Sequence, residues 1–391
     1  MTGDRNQLIG TLRVIRVLLF LIGITAPLVA FSLQEVQSDP GQNPGLGKEW
    51  KLAKYPSLGI SPDQWGRIVM EYRAYFNDHF GFRKEMIENL ALVKYKWIGV
   101  DPNDKLLAGK EGWFYLKVYD RSVEYFRNIQ PLSLDELETW KRSLERIRDE
   151  LKEKGIRYVF VVAPNKDTIY PEFMPDRFNR VNPQSRLDQI VIYMAEHSDV
   201  TVIDLRPALL KAKGAIPLYY KTDSHWNELG ACVATEEILR VLRTWYPEIE
   251  PFSVTDFNIQ TTRESFWGDL LSLGGINDLE GEDDVTLVPK TPRRAIKREL
   301  DWTKNDERKS HTTIPATTCD PAAPVRALFF RDSFFTLMEP LITERFRQTV
   351  IVWQPQFDAR YLKLGPCDVV IHEMVERLLI NPPPQHSFLA E

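Results

Sequence analysis

The sequence predicts an α/β domain built on a doubly wound, mostly parallel β-sheet, set behind one N-terminal transmembrane helix. Three observations carry that expectation. Between residues 133 and 374, short continuous runs of β-branched and aromatic residues alternate with segments of helical periodicity. Strands buried on both faces and crossover helices leave that pattern. Near the N-terminus a long apolar run carries no charge. With 391 residues and 43% hydrophobic composition, the chain can also bury a substantial core.

Taken in order, Arg5, Arg13 and Arg16 precede VLLFLIGITAPLVAFSL (17–33), and no charge falls between Arg16 and Glu35. A basic flank before such a run reads as a retained signal anchor, close to the lower limit of roughly 17–25 residues for spanning a bilayer. Residues 1–34 are therefore expected to be a cytoplasmic N-terminus and transmembrane anchor, with the rest of the chain outside. Residues 35–62, polar and rich in Gly and Pro, read as a tether. The domain proper is expected over 63–380, opening with a helical approach segment and a short hairpin-like element around GKEGWFYL (109–116). Ser133 and Glu136 form a capping box. Leu134, Leu137, Trp140, Leu144, Ile147 and Leu151 recur on one helical face, and Gly155 sits at the stop. YVFVVAP (158–164) follows as a buried strand. A helix near 185–197, the strand VTVIDL (200–205) and a helix from about Asn227 to Thr244 continue the alternation, and RALFF (326–330), TVIVW (349–353) and DVVIHEM (368–374) complete it. Residues 250–320 break the pattern and read as an irregular insertion. Residues 381–391 read as a tail.

The formal net charge of −5, with both signs scattered, offers no basic stripe and excludes a dedicated nucleic-acid binder. Cys232, Cys319 and Cys367 are too few for a disulfide scaffold and match no zinc spacing. Cys319 and Cys367 each lie a few residues before a predicted strand. If those strands are parallel neighbours, the two could form a disulfide in an oxidising compartment. Cys232 reads as a packed helical residue.

In an open α/β sheet, ligands bind beyond the carboxyl ends of the strands. Three segments should converge there: APNKDTIYPE (163–172), RDSFF (331–335) and HEMVER (372–377). Ser333 sits at a strand-to-loop turn, a suitable place for a nucleophile whose own N–H helps bind an oxyanion. A serine hydroxyl needs a base, and a histidine base needs an orienting acceptor. TDSHW (222–226) supplies both, with Asp223 two residues from His225. Taken singly, Asp332 or Ser333 is equally a helix cap and Asp223 a turn residue; together they read as an acyl-transfer site. His372, inside a strand, has no carboxylate at the same spacing. His79 reads as structural.

YYKTDSHWNELGA (219–231) and LFFRDSFF (328–335) resemble the paired Asp-x-His and Asp-Ser motifs of the SGNH-hydrolase-like domains in the AlgJ/AlgX group of alginate O-acetyltransferases. FNDHFGFR (76–83), GKEGWFYL (109–116), APNKDTIYPEFMP (163–175), WGDLLSL (267–273) and DVVIHEMVER (368–377) resemble that group too, in the expected order. The resemblance implies that Ser333 is the nucleophile, His225 the base and Asp223 its partner, with acetyl passing through Ser333 to a sugar hydroxyl. In most SGNH enzymes the histidine follows the serine; here it precedes it, as in the AlgJ/AlgX group. Arg331 stands where the wider superfamily has glycine. Asn165 is the candidate second oxyanion donor beside Ser333. Lys166, Tyr170, Tyr220, Trp226 and Arg331 are candidate saccharide contacts, with Tyr219 and Arg377 weighed beside them and core packing or salt bridges the competing roles. Serine acyl transfer needs no metal and no organic cofactor. The resemblance further implies a bacterial inner-membrane protein with a periplasmic catalytic domain, a polysaccharide acceptor and a membrane-bound O-acyltransferase supplying acetyl. A polysaccharide acetylesterase with the same triad, or a non-catalytic polysaccharide-binding assembly subunit, fits the same residues.

Overall fold

The computed structural model describes residues 2–37, 53–56, 65–117, 122–299 and 316–383. The chain divides into two units, Met1–Val93 and Lys94–Glu391. The first contains α1 (Thr2–Gln37), α2 (Trp65–His79) and α3 (Arg83–Val93). Leu18, Leu19, Phe20, Leu21 and Ile22 of α1 are all exposed, so consecutive residues turn apolar side chains outward in every direction. Among the described residues, no helix is long and apolar enough to cross a membrane. The side chains at 28 and 31–37, which include the end of the expected span, lie outside the described residues, as does most of the expected tether. In α2, Asp78 accepts a hydrogen bond from the Ala53 N–H (2.9 Å). His79 stacks on Tyr75 (4.1 Å between ring centres) and binds its carbonyl through Nδ1, a structural role.

The second unit opens with an antiparallel hairpin, β1 (Leu106–Ala108) and β2 (Phe114–Leu116), with Leu106 opposite Leu116. After α4 (Ser122–Phe126) come α5 (Leu134–Glu153), β3 (Arg157–Ala163), α6 (Lys166–Ile169), α7 (Arg186–His197), β4 (Thr201–Asp204), α8 (Arg206–Ala212) and α9 (Glu228–Leu242). The chain then forms β5 (Phe257–Phe266), α10 (Asp269–Gly274), β6 (Glu282–Pro289), β7 (Ile296–Glu299) and β8 (Ala316–Cys319). It closes with β9 (Arg326–Arg331), α11 (Glu339–Ile342), β10 (Gln348–Trp353) and β11 (Val369–Val375). The main sheet has the order β4-β3-β11-β9-β10-β8-β7. Its first five strands are parallel, and β8 and β7 add an antiparallel edge.

Alternation along each strand divides the core in two. Phe160, Val162, Phe330 and Val370 pack beneath Trp140, Leu144, Ile147 and Leu151 of α5. Val159, Val161, Phe329 and Ile371 face Ile238, Leu239 and Leu242 of α9, together with Trp226. Each fully buried side chain of this size contributes about 1.5–3 kcal/mol. The capping box at Ser133 and Glu136 forms as expected, and Asn227 caps α9 by accepting from the Gly230 N–H.

Two expectations are corrected. The segment taken as an irregular insertion contains the β5–β6 hairpin and two strands of the main sheet. Polar faces and short runs concealed them, because edge strands and exposed hairpins need little apolar alternation. The Cys319–Cys367 disulfide does not form: Cys367 is a free thiol donating to the Val369 carbonyl (3.1 Å). Two strands, β9 and β10, separate β11 from β8. Three strand spacings put the two residues roughly 14 Å apart, about twice the reach of a disulfide. Cys232 is buried in α9, as expected.

Candidate active site

The carboxyl ends of β3, β9 and β11 lie level, with Ala163 opposite Val375 and His372 opposite both Phe160 and Phe330. β9 ends in Arg331 and turns sharply at Asp332. That carboxylate holds the turn from both sides, accepting from the Phe334 N–H (2.9 Å) and from the Val375 N–H of β11 (2.6 Å). The Asp332 N–H in turn donates to Glu373 Oε2 (3.0 Å). Ser333 is thereby fixed at the first residue of a tight helical turn. Among the described residues its N–H has no acceptor.

His225 and Asp223 sit on a loop closed by a β-bridge between Tyr219 and Trp226. His225 Nε2 lies 2.7 Å from Ser333 Oγ, and His225 Nδ1 lies 2.7 Å from Asp223 Oδ1. Asp223 Oδ1 also accepts the His225 N–H (2.9 Å), while Oδ2 accepts the Asp269 N–H (2.9 Å). Burial works to raise the Asp223 carboxyl. The bond to His225 and those backbone N–H groups outweigh it and hold the group below its ordinary value. The contacts give one ring nitrogen a proton to donate to Asp223 and leave the other facing the serine hydroxyl.

The loop is clamped from three directions. Beneath it, Lys166 Nζ donates to the carbonyls of Tyr220 (3.1 Å), Lys221 (3.0 Å) and Asp223 (2.6 Å). Burial pushes this ammonium down to about 8, against the pull of Glu282, Asp223, Asp269 and Asp167. From β6, Glu282 accepts the Lys221 N–H (2.6 Å), the Thr222 N–H (2.7 Å) and the Thr222 hydroxyl. From α10, Asp269 accepts the Ser224 N–H (2.7 Å) and hydroxyl (2.6 Å). Gly268 permits the α10 approach. A Cβ there would stand 2.2 Å from the Thr222 carbonyl atoms and 2.4 Å from the Asp223 nitrogen. The WGDLLSL stretch was legible as a motif, but nothing in the sequence singled out Glu282. Asp223, His225 and Asp269 are the donor group among the described residues compact enough for a metal ion. Their facing atoms are already engaged in the bonds above.

A family model described as the SGNH hydrolase-like domain of the acetyltransferase AlgX matches residues 106–299. Over that segment, just under half of its length, the chain is similar to the AlgX domain. The probable alginate O-acetylase AlgJ of Pseudomonas syringae pv. tomato is 24% identical over 256 residues, covering 64% of this chain and 61% of that protein. The protein of the same name from Pseudomonas aeruginosa is 23% identical over 249 residues, covering 62% and 59%. The chain thus spans about three fifths of the length of the curated relatives it matches. Among solved structures, Bacillus cereus PatB1 shares the fold at a TM-score of 0.50 and 17% identity, covering 71% of this chain and 97% of that one.

Asp223 and His225 lie inside the matched segment, and Ser333 lies beyond it. The residues expected to contact saccharide are mostly interior. Lys166 is 4% exposed and spends all three ammonium protons on the loop carbonyls, so it serves as a clamp instead of a surface cation. Trp226 is fully buried and donates its indole N–H to the Phe334 carbonyl (3.0 Å), tying the His loop to the Ser turn. Tyr170 donates no face to solvent: it packs against Trp113, and its hydroxyl accepts the Leu218 N–H (2.9 Å). Tyr219 is buried with its hydroxyl on the Pro164 carbonyl (2.6 Å). Tyr220 stacks on Phe266 (3.7 Å) and donates to Asp284 (2.5 Å). Arg331 is 6% exposed, bound to the Asp332 carbonyl and the Thr336 hydroxyl (both 2.9 Å). Sequence alone marks these side chains as aromatic or cationic, and only the tertiary fold decides that they face inward.

Asn165 follows β3, and its N–H donates to Glu376 (2.8 Å). Its carboxamide leaves α6 uncapped, and among the described residues the buried Oδ1 has no partner. Burial pushes Glu376 up to about 7 despite bonds from Thr168 and Asn165. His372, the rival base, is enclosed in β11 between the Tyr158 hydroxyl (3.0 Å) and the Pro355 carbonyl (2.9 Å), and burial pushes it down to about 4. Arg377 lies over the Phe334 ring (5.2 Å), whose ring centre is 4.9 Å from that of His225.

Proposed function

We propose that the chain is a serine-dependent O-acetyltransferase that acetylates hydroxyl groups of an alginate-like exopolysaccharide. The observation that carries this reading is the contiguous relay of two 2.7 Å contacts, Asp223 to His225 and His225 to Ser333. Ser333 Oγ attacks the carbonyl carbon of an acetyl donor while His225 Nε2 takes its proton. Asp223 stabilises the resulting imidazolium through Nδ1–H. The oxyanion accepts from the Ser333 N–H, and the idle carboxamide of Asn165 is suited to be the second donor. Collapse expels the donor's leaving group, which takes the proton from His225, and leaves acetyl on Ser333. A sugar hydroxyl then attacks, again losing its proton to His225. The sugar ester departs and the serine recovers its proton.

The AlgX-type domain and the two AlgJ relatives support this substrate class. In the same reading α1 anchors the chain in the bacterial inner membrane. Its charge-free run from Val17 to Leu33 and the outward apolar side chains of residues 18–22 support that role. The catalytic domain then works in the periplasm, and a membrane-bound O-acyltransferase supplies acetyl, because acetyl-CoA is confined to the other side.

The test is to give the purified chain an aryl acetate with and without mannuronate oligosaccharide. Acetylated oligosaccharide is expected, with its formation abolished by Ser333→Ala. Free acetate as the sole product under all acceptors would make the protein an esterase. No turnover by the unaltered chain would leave a non-catalytic binding subunit, and turnover indifferent to Ser333→Ala would put the chemistry outside the triad.

A further inference from the structure

An aromatic residue that neither the sequence motifs nor the relay uses stands beside the nucleophile. Trp353 ends β10, directly opposite Arg331, the last residue of β9. Strand alternation puts Trp353, Arg331 and Glu373 on the α9 face of the sheet, the face that carries His225 and Trp226. The Arg331 guanidinium lies 3.7 Å from the centre of the Trp353 ring. That guanidinium is itself immobilised by the Asp332 carbonyl, Thr336 and Glu339 (3.7 Å). One indole face is therefore backed by a fixed cation, a contact that favours a flat, preorganised ring. Trp353 nevertheless remains 44% exposed, in contrast to the buried aromatics of the His loop. With one face covered, the exposure falls on the other face and the rim.

Strand geometry sets its distance from the chemistry. Adjacent strands lie about 4.8 Å apart, and Ser333 is two residues beyond Arg331. The Trp353 and Ser333 Cα atoms are thus separated by roughly 8 Å. Neighbouring rings of one polysaccharide chain can occupy both positions. The apolar C–H face of a pyranose suits an open indole.

Resting on the acyl-transfer reading above, we infer that Trp353, backed by Arg331, is the stacking platform for a pyranose ring of the acceptor, next to the ring presented to Ser333. Arg331 thus acts as a positioning residue. The arginine standing where the wider superfamily has glycine gains a purpose: it fixes the platform and braces the Ser turn together.

The test is direct binding of a mannuronate tetrasaccharide to the full chain carrying Ser333→Ala, followed by calorimetry and by indole fluorescence. Adding Trp353→Ala is expected to weaken binding by about tenfold or more, the scale of one lost stacking contact. Trp353→Tyr is expected to restore most of the affinity, and Trp353→Phe to abolish the fluorescence change on binding. Equal affinity with tryptophan or alanine at 353 would overturn the platform. So would a fluorescence change that persists without the indole. Because binding is read without turnover, the outcome is independent of whether Ser333 accepts acetyl. Trp353-dependent binding, together with failure of the unaltered chain to form acetyl-Ser333 when given an aryl acetate, would sustain the platform and sink the acyl-transfer reading.

Discussion

The two halves of the relay are held by different physics. The Ser333 turn is an extension of the main sheet: Asp332 binds Phe334, Val375, Glu373 and Arg331, all on β9, β11 or the turn itself. Its support is the buried core of five parallel strands. The His225 loop continues no strand of that sheet and runs instead between α8 and α9. Lys166, Glu282 and Asp269, from α6, β6 and α10, hold it through charge-assisted bonds to backbone groups. The proposed nucleophile is thus set on a strand end, and the proposed base on a loop that depends more heavily on charged clamps. The first should withstand pH and surface substitution, and the second should not.

The largest effect removes the proposed nucleophile. Ser333→Ala is expected to reduce acetyl transfer by about 10⁴-fold or more, with the melting temperature unchanged, as measured by steady-state kinetics and thermal unfolding. Asp223→Asn breaks the other half, leaving the ring without its orienting acceptor. A loss in kcat of roughly 10²–10⁴-fold is expected, with little change in KM. A smaller loss would mean that Asp269, 3.9 Å from His225 Nδ1, takes over.

Lys166 sharpens the contrast through pH. Its folded value, about 8, lies below that of a free lysine. Activity is therefore expected to fall as pH rises through about 8, when the clamp loses its charge. Stability is expected to move the opposite way. A depressed ammonium contributes least below its folded value, so unfolding free energy should rise between about 8 and the unfolded value near 10.4. Lys166→Met should lower kcat by roughly ten- to a hundredfold, and the alkaline limb attributable to the lysine should vanish from the pH–rate profile.

The smallest effect is expected in the Ser turn. Burial first, and the adjoining Asp332 carboxylate second, push the Glu373 carboxyl well above its ordinary value. A neutral isostere should therefore serve. Glu373→Gln is expected to keep kcat within about threefold, whereas Glu282→Gln, in the charge-dependent clamp, should cost more. The reverse ranking would erase the distinction between the two halves.

This division also explains what the sequence disclosed. The parallel strands, the capping box at Ser133 and the Asn227 start of α9 follow from local periodicity and cap chemistry, and the sequence placed each of them. RDSFF and TDSHW could be paired because both fall at loops of one sheet. The clamps were hidden. Glu282 is one acid among many in a polar stretch, and its role depends on the β5–β6 hairpin folding back onto residues 221–222. Lys166 reads as a surface cation in APNKDTIYPE, because no local pattern says that three carbonyls enclose it. The Cys319–Cys367 pairing failed for a similar reason: strand order is a global property, and β9 and β10 intervene. Trp353 escaped notice as the last letter of a strand, where burial of TVIVW was expected throughout.

The central claim is that Ser333 carries acetyl. Rapid acid quenching of the chain with an aryl acetate, followed by peptide mass spectrometry, tests it directly. One acetyl group is expected on the peptide containing Ser333, formed far more slowly with His225→Ala and removed when mannuronate oligosaccharide is added. Acetylated oligosaccharide appearing while Ser333 stays unmodified, or in the Ser333→Ala chain, would contradict it.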